Sequence, residues 1–182
     1  MLAFITNFSF IVSIARGVDG EVRSNCTNGW HITAYFTPLE SDYKSTRMKT
    51  LNVEGYGKVT LNDAFLKQVV IEGFGKTKEG WYISYWTVGP HWHRTEADKG
   101  PLDELDNKLV IGQTVAVDPK IISFESKLTI PTLPSPWNTK TFIATDVGDA
   151  IIGKHIDVYV GQGLAARDET FRITGYDNTV CL

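Results

Sequence analysis

The sequence has few cysteines, and none of them belongs to a metal-binding pattern. Only two of the 182 residues are cysteine, Cys26 and Cys181. Neither is part of a CxxC motif or a Cys/His cluster, which argues against structural zinc. His91 and His93 have the spacing of a strand-type metal pair, but no third ligand lies nearby in the sequence. The sequence therefore predicts neither a metal ion nor another cofactor.

The sequence also lacks an excess of charge and a long hydrophobic run. The net charge is −3, so the chain has no excess of positive charge that would favour binding to nucleic acid or to an anionic membrane surface. The apolar stretch from Leu2 to Ala15 is long enough for the core of a secretory signal and too short for a stable membrane span. Ser13 and Ala15 suit a small-residue cleavage site, but no lysine or arginine precedes the stretch. Two alternatives stay open for residues 1–25: a signal-derived segment, or an additional ordered strand or helix.

The rest of the chain has the composition of one globular domain. Hydrophobic residues make up 42% of the chain, charged residues 21% and aromatic residues 12%, which is enough apolar material for a sizeable core. We therefore predict a single domain over residues 26–182. If Cys26 and Cys181 pair, their disulfide closes nearly all of this domain and indicates an oxidising compartment; the alternative is two unrelated thiols.

The dominant pattern is a series of short β-rich runs separated by turn residues, which is typical of a barrel or a sandwich. The runs on either side of the polar turn "KTKEG" predict a hairpin. The predicted strands cover residues 30–38, 69–76, 80–89, 108–119, 126–133, 140–148, 155–161 and 169–177.

Helical patterns are rare. Residues 60–70 carry apolar residues at helical spacing, with Thr60 or, as the weaker alternative, Asn62 as the N-cap. Residues 163–169 predict one or two further turns. Residues 89–107 are polar and contain glycine and proline at their start and near their end, which indicates a surface loop.

Three aspartates lie next to the ends of predicted strands. Asp118 occurs in "TVAVDP", Asp146 in "ATDVGDAIIG" and Asp157 in "GKHIDVYVG", the last two being eleven residues apart. A strand interior normally excludes carboxylates, because a buried charge without a partner is costly or takes up a proton. A carboxylic acid that keeps its proton at neutral pH is a ready general acid.

These phrases resemble the three-aspartate (3D) domain, and in particular the catalytic barrel of the membrane-bound lytic murein transglycosylase A family. The segments 32–38 and 72–86 also resemble parts of these proteins, so the resemblance covers about residues 30–180. It implies an all-β fold, a six-stranded double-psi β-barrel with one or two short helices. It further implies peptidoglycan glycan strands as the partner and a periplasmic or secreted location.

The resemblance implies a reaction as well. Asp157 matches the position of the family's catalytic acid, and Asp146 would lie near it and tune it. Ionising two neighbouring carboxyl groups in one poorly hydrated cleft is energetically costly, so one of them holds a proton. That acid protonates the glycosidic oxygen and later, as a carboxylate, takes the proton of the sugar's own C6 hydroxyl, leaving a 1,6-anhydro end. A hydrolase with two carboxylates around a water stays open as an alternative.

Further residues are candidates for the substrate groove, each beside a structural alternative. Alternation places Thr33 and Tyr35 on one strand face, as a polar stripe or as exposed cross-strand packing. Asp118 precedes a proline and suits a turn as well as a groove. Trp92 in the polar loop could stack on a sugar or pack in the core. Lys154 could contact substrate or simply face solvent.

The chain departs from the family in two places. Asp149 replaces the second glycine of the usual "DVGGAI", and either raises the proton affinity of a neighbour or faces solvent. Only about 30 residues separate "ITAYFTP" from "VIEGFGK", which is too short for the additional domain that forms the other wall of the family's cleft. We therefore expect an open, shallow groove.

Two rival functions follow from these departures. One is a non-catalytic, expansin-like module that binds cell-wall glycans through aromatic residues. The other is a delivered effector with the same chemistry, whose partner would include an inhibitor or immunity protein.

Overall fold

The computed structural model describes residues 25–182. The apolar segment predicted over residues 1–25 therefore lies outside the described residues, except for Asn25. Within residues 25–182 the chain forms eleven β-strands, two α-helices and two short 3₁₀ helices. The strands are β1 (Cys26–Thr37), β2 (Met48–Val53), β3 (Gly57–Asn62), β4 (Phe74–Lys76), β5 (Tyr82–Tyr85), β6 (Trp92–Thr95), β7 (Thr114–Val117), β8 (Lys127–Leu128), β9 (Phe142–Asp146), β10 (His155–Gln162) and β11 (Gly175–Cys181). The helices are α1 (Asp63–Glu72) and α2 (Gly163–Ile173), and the 3₁₀ helices are Glu40–Asp42 and Trp137–Thr139.

Six strands form one curled sheet in the order β11-β1-β10-β7-β9-β8. The pairs β1/β10 and β7/β9 are parallel, and the other neighbours are antiparallel. Thr129, directly after β8, and Cys181 in β11 exchange two backbone hydrogen bonds of 2.9 Å. The two edges of the sheet therefore meet at this point.

The concave side of the sheet holds the main hydrophobic core. Alternate residues of β1, β7 and β10 point into it, among them Ile32, Val115 and Val158, which are fully buried. Helix α2 covers one side through Ala166 and Ile173. The predicted strand over 169–177 was therefore wrong in its first half, because residues seven apart lie on one helical face and a strand would bury alternate residues instead.

A second hydrophobic cluster lies outside the main core. The hairpin β2–β3, helix α1 and the sheet β4-β5-β6 surround the buried Phe65 and Ile83. Gly75 in β4 is required here, because a Cβ at this position would lie 2.6 Å from the Phe65 ring. The predicted surface loop over 89–107 was wrong where β6 pairs with β5.

Helix α1 confirms the helix predicted over 60–70 and corrects its boundaries. Its N-cap is Asn62, whose Oδ1 accepts the N–H groups of Ala64 (3.0 Å) and Phe65 (3.3 Å). Thr60 lies in β3 instead. The helix runs on to Glu72, so only Phe74–Lys76 of the predicted strand 69–76 are extended. The predicted hairpin is confirmed with β4 and β5 as its arms.

Cys26 and Cys181 form a disulfide, which confirms the predicted pairing. The bond joins the first and last strands of the large sheet, which are antiparallel neighbours. No helix in residues 25–182 is both long enough and apolar enough to cross a lipid bilayer.

Candidate functional site

A row of side chains crosses four neighbouring strands on the sheet face opposite the main core. Thr33 in β1 is paired with Asp157 in β10, Asp157 with Ala116 in β7, and Ala116 with Asp146 in β9. Paired residues point to the same face, so both carboxyl groups lie on one side of the sheet. Two strand spacings put their backbones about 10 Å apart. The small Ala116 lies between them.

A β-bulge in β9 brings Asp146 into this row. Val115 is paired with Ala144 and Ala116 with Asp146, so Thr145 has no partner in the register. Without the extra residue, strict alternation would place Asp146 on the same side as Ala144, inside the core. The bulge therefore turns Asp146 towards Asp157.

The alternation predicted for β1 is confirmed. Ile32 and Phe36 are buried in the main core and Ala34 packs against it, whereas Thr33 and Tyr35 face the aspartates. The sequence thus predicted correctly that Thr33 and Tyr35 share a face.

Asp157 is half-buried and holds its proton near neutral pH. Its pKa is raised from 3.8 to about 7, mainly by burial; a hydrogen bond from Thr33 lowers the pKa, and the nearby charges of Glu72 and Asp146 raise it. The Thr33 hydroxyl lies 2.6 Å from Asp157 Oδ1. A group with this pKa can give and take a proton at neutral pH.

Asp146 is more deeply buried, with 8% of its surface exposed. The Tyr35 hydroxyl donates to its Oδ2 at 2.6 Å, and the Val147 N–H donates to its Oδ1 at 3.0 Å. Burial raises its pKa to about 6 despite these bonds, and the charge of Asp103 adds to the rise. The site therefore contains two carboxyl groups with pKa values close to neutrality.

Asp118 has a different environment. Its Oδ1 accepts the Lys120 N–H at 2.9 Å, and its Oδ2 accepts the Gly153 N–H at 2.8 Å. These bonds hold its pKa below the usual value. Asp118 thus ties the turn after β7 to the turn before β10, as the structural alternative expects, and its predicted contact with substrate stays a prediction.

Trp92 and Lys154 do not lie with the aspartates. Trp92 is in β6, where it packs against the second hydrophobic cluster and contacts Tyr85 edge-to-face. The Lys154 ammonium donates to the Asn28 carbonyl at 2.9 Å. Asp149 is exposed, which agrees with the solvent-facing alternative. Within residues 25–182, no group of three or more His, Cys, Asp and Glu side chains is arranged to hold a metal ion.

A cavity of about 310 Å³ opens beside Asp146. Its other side is formed by β4, β5 and the loop after β6, so short strands rather than an additional domain form a second wall beside Asp146. The expectation of an open, shallow groove stays a prediction. The lining contains aromatic rings and carboxylates and no lysine or arginine, in the part of the chain that the structure describes. The lining residues are Gly73, Phe74, Tyr82, Ser84, Tyr85, Trp86, Thr95, Gly100, Pro101, Leu102, Asp103, Glu104, Asp106 and Asp146.

Trp86 is the aromatic residue best placed to meet a ligand in this cavity. It is 56% exposed, and its ring stacks on His93 at 3.8 Å. His93 is held in turn by Glu54, whose Oε2 lies 2.9 Å from Nδ1. The fixed ring offers a flat apolar face of the kind on which a sugar ring packs.

Glu72 is a site residue that the sequence did not indicate. Its Oε2 accepts the Phe36 N–H at 3.1 Å, and its Oε1 accepts an N–H of Gln68 at 2.8 Å. The register of β1 shifts between Tyr35 and Thr37, which leaves the Phe36 N–H available. Burial raises the pKa of Glu72, and its charge affects Asp157 more strongly than that of Asp146 does. With residues 69–76 interpreted as a strand, Glu72 was marked only as the first residue of the segment 72–86 that resembles the family, and no role was attached to it.

A family comparison matches the segment of the chain that contains the aspartates of this row. The 3D domain model matches residues 113–178, which include Asp118, Asp146 and Asp157. Residues 113–178 therefore resemble the 3D domain, and the fold of the chain resembles that of the MltA lytic transglycosylases.

Three solved structures illustrate the likeness. Escherichia coli MltA with bound chitohexaose is 14% identical with a TM-score of 0.63, over 85% of this chain and 71% of that chain. The membrane-bound lytic murein transglycosylase from Agrobacterium tumefaciens is 16% identical with a TM-score of 0.57, over 84% and 73% of the two chains. The lytic transglycosylase LtgG of Burkholderia pseudomallei is 16% identical with a TM-score of 0.52, over 84% and 70%. Identities this low show the fold alone. Among curated proteins, none matches the chain in sequence.

Proposed function

We propose that the protein is a lytic transglycosylase that cleaves the β-1,4 bond between N-acetylmuramic acid and N-acetylglucosamine in peptidoglycan. The observation that carries this proposal is the row of Asp157 and Asp146 on one sheet face, with pKa values of about 7 and 6. The neighbouring cavity supports it, because a lining of aromatic rings and carboxylates suits the apolar faces and hydroxyl groups of sugars. The likeness to structures of lytic transglycosylases, one with bound chitohexaose, adds support at the level of the fold.

In this proposal Asp157 acts twice. Its carboxyl proton passes to the glycosidic oxygen while the bond from that oxygen to C1 of N-acetylmuramic acid breaks. The carboxylate then takes the proton of the C6 hydroxyl of the same sugar, and the C6 oxygen bonds to C1. The product is a 1,6-anhydro end, no water is consumed, and Asp157 is protonated again.

The other polar residues of the row support Asp157. The negative charge of Asp146 favours the protonated form of Asp157, and Tyr35 fixes the orientation of Asp146 through a 2.6 Å hydrogen bond. Thr33 contacts Asp157 directly. Trp86 would pack against a sugar ring at the opposite wall of the cavity.

The finer fold and the location belong to the same proposal. We propose that the sheet is a closed six-stranded double-psi barrel, in which the hydrogen bonds between Thr129 and Cys181 join the edges. A periplasmic or secreted location is supported by the Cys26–Cys181 disulfide, since such bonds persist in oxidising compartments.

Incubation of the protein with purified murein sacculi, followed by mass analysis of the soluble products, tests this function. We expect muropeptides with 1,6-anhydro ends, each lighter by one water than a hydrolysed product. Hydrated ends would indicate a hydrolase instead. Binding to sacculi without any release would favour the non-catalytic, expansin-like module.

Glu72→Gln is expected to move the pH dependence of this activity. Asp157 must be protonated to act as an acid, so the rate falls as pH rises through its pKa near 7. The substitution removes a negative charge that raises this pKa, and Gln keeps an oxygen for the Phe36 N–H. The alkaline limb of the rate profile should therefore shift to lower pH.

The matched control is Glu96→Gln, the same chemical change at an exposed carboxylate that pairs with Arg94. Rate profiles of both variants on sacculi decide the question. An unchanged alkaline limb in Glu72→Gln would show that Glu72 does not act on Asp157.

A further inference from the structure

A chain of short contacts leads from Asp157 through Thr33 to His155. Thr33 Oγ1 lies 2.6 Å from Asp157 Oδ1 and 2.9 Å from His155 Nε2. On the other side of the ring, His155 Nδ1 lies 3.2 Å from the Ala150 carbonyl oxygen. All three distances are within the range of hydrogen bonds.

Counting hydrogens limits the protonation states that make all three bonds. The Ala150 carbonyl can only accept, so His155 Nδ1 must carry a hydrogen. In a neutral imidazole Nε2 then accepts, and it takes the single hydroxyl hydrogen of Thr33. The Thr33 oxygen is left to accept from Asp157, which must therefore be protonated.

The other protonation states either leave a hydrogen bond unmade or place a charge on both Asp157 and His155. If Asp157 is a carboxylate, it takes the Thr33 hydrogen, and His155 Nε2 must donate to the Thr33 oxygen. With both ring nitrogens donating, His155 is an imidazolium. A carboxylate beside a neutral imidazole leaves one of the three bonds unmade. All three hydrogen bonds therefore form only when Asp157 and His155 together carry one titratable proton, either on the Asp157 carboxyl group or on His155 Nε2.

The surroundings favour the neutral pair. The His31 ring from β1 stacks on His155 at 4.3 Å, and Tyr176 from β11 stacks on the other side of His31 at 4.1 Å. Burial lowers the pKa of His155, and the charge of His31 lowers it further. The remaining titratable groups near the pair are Lys154, next to His155 in sequence, and Tyr35, Glu72 and Asp146 near Asp157.

We propose that His155 is a positioning residue for the acid: it takes the hydroxyl hydrogen of Thr33, so that Thr33 accepts from Asp157 instead of donating to it. Thr33 then cannot stabilise the carboxylate form of Asp157. The acid stays protonated in the resting protein, and after it has given up the proton its carboxylate is a stronger base. The consequence for the rate rests on the proposed function, whereas the protonation state can be measured without it.

Nitrogen-15 NMR of the imidazole rings at pH 6.5 tests the protonation state directly. The chain has four histidines, so the His155 signals can be assigned by their loss in His155→Gln. We expect a neutral ring with its hydrogen on Nδ1, the tautomer that is less common in water. A hydrogen on Nε2 alone, or an imidazolium, would overturn the proposal.

Three variants test the effect on the rate. His155→Phe keeps a ring beside His31 and loses the acceptor, so Thr33 donates to Asp157 and stabilises its carboxylate. We expect its alkaline limb to shift to lower pH by about one unit, the size expected for one hydrogen bond gained by a charged group. His155→Gln offers an amide oxygen at a position similar to Nε2 and should restore the limb. His31→Phe keeps a stacked ring beside His155 and removes only the contribution of the His31 charge, so it should shift the limb much less than His155→Phe does. KM should stay the same in all three variants.

The two proposals fail separately. If the wild-type protein releases no anhydro products, the proposed function fails, and the NMR result alone decides the role of His155. If the wild-type protein is active but His155→Phe and His155→Gln have the same rate profile, or His31→Phe shifts it equally, the role of His155 is wrong and the function stands.

Discussion

Asp157→Asn is expected to release anhydro-muropeptides from sacculi roughly 10³–10⁴ times more slowly than the wild-type protein, the upper part of the range for general acid–base catalysis. The large effect is expected because one carboxyl group serves as acid and as base, and an amide can do neither. Asparagine keeps the size of the side chain, and its amide can still hydrogen-bond to the Thr33 hydroxyl. The measurement is the initial rate of product release at pH 6.5, followed by mass.

Loss of activity in this variant should not come with loss of stability. Asp157 has a pKa of about 7 in the folded protein and an ordinary value of 3.8, so the folded state binds the proton more tightly. Between pH 4 and 7 the folded protein holds a proton that the unfolded chain has released, and stability therefore falls as pH rises through this window. Above pH 7 the wild-type protein carries the full penalty of a buried carboxylate, which the Asn variant lacks.

The Tm of Asp157→Asn should accordingly exceed that of the wild-type protein at pH 8, and the difference should shrink as pH falls towards 4. A variant that is inactive and also unstable at pH 8 would indicate a structural role for Asp157. A variant that keeps most of the activity would rule out Asp157 as the acid.

Removal of the disulfide is the second change with a large expected effect. Cys26 and Cys181 are separated by 155 residues, and the chain-entropy model gives about 4–5 kcal/mol of stabilisation for a loop of this length. That is a large part of the roughly 5–15 kcal/mol that stabilises a typical domain. The Cys26→Ala/Cys181→Ala variant should unfold at a much lower urea concentration than the oxidised wild-type protein.

A reductant supplies the control. Dithiothreitol should destabilise the wild-type protein by about as much as the double substitution does, and it should have no effect on the variant. A difference below about 1 kcal/mol would mean that the strand contacts alone hold the ends of the domain.

Much of the large sheet was predictable because its strands alternate cleanly. A period of two predicts that Ile32 and Phe36 lie in the core and that Thr33 and Tyr35 lie on the opposite face of the strand. The same rule places Asp157 on the face opposite Val158. The spacing of the two aspartates carried the family resemblance. These signals are local, so they can be detected in a single sequence without knowledge of contacts between distant segments.

The remaining features depend on contacts between distant segments. The bulge at Thr145 adds one residue to a strand without any mark in the sequence, yet it decides which way Asp146 points. Glu72 lies in the site because α1 extends beyond the helix that the sequence predicts. Its carboxylate is held there by the Phe36 N–H of β1, which the shift in strand register leaves available. The second wall of the cavity is a set of short strands, β4 to β6, of which β6 lies in a stretch too polar to signal a strand.

The most direct test of the central claim is a carbon-13 NMR titration of the Asp157 side-chain carboxyl, assigned through its loss in Asp157→Asn. Because Asp157 and Asp146 interact, the same titration is repeated in Asp146→Asn to separate their contributions. The account predicts a midpoint near pH 7 for Asp157 in the wild-type protein and a lower one when the charge of Asp146 is removed. A midpoint close to the ordinary aspartate value of 3.8 would mean that Asp157 is ionised at neutral pH, and it would contradict the account.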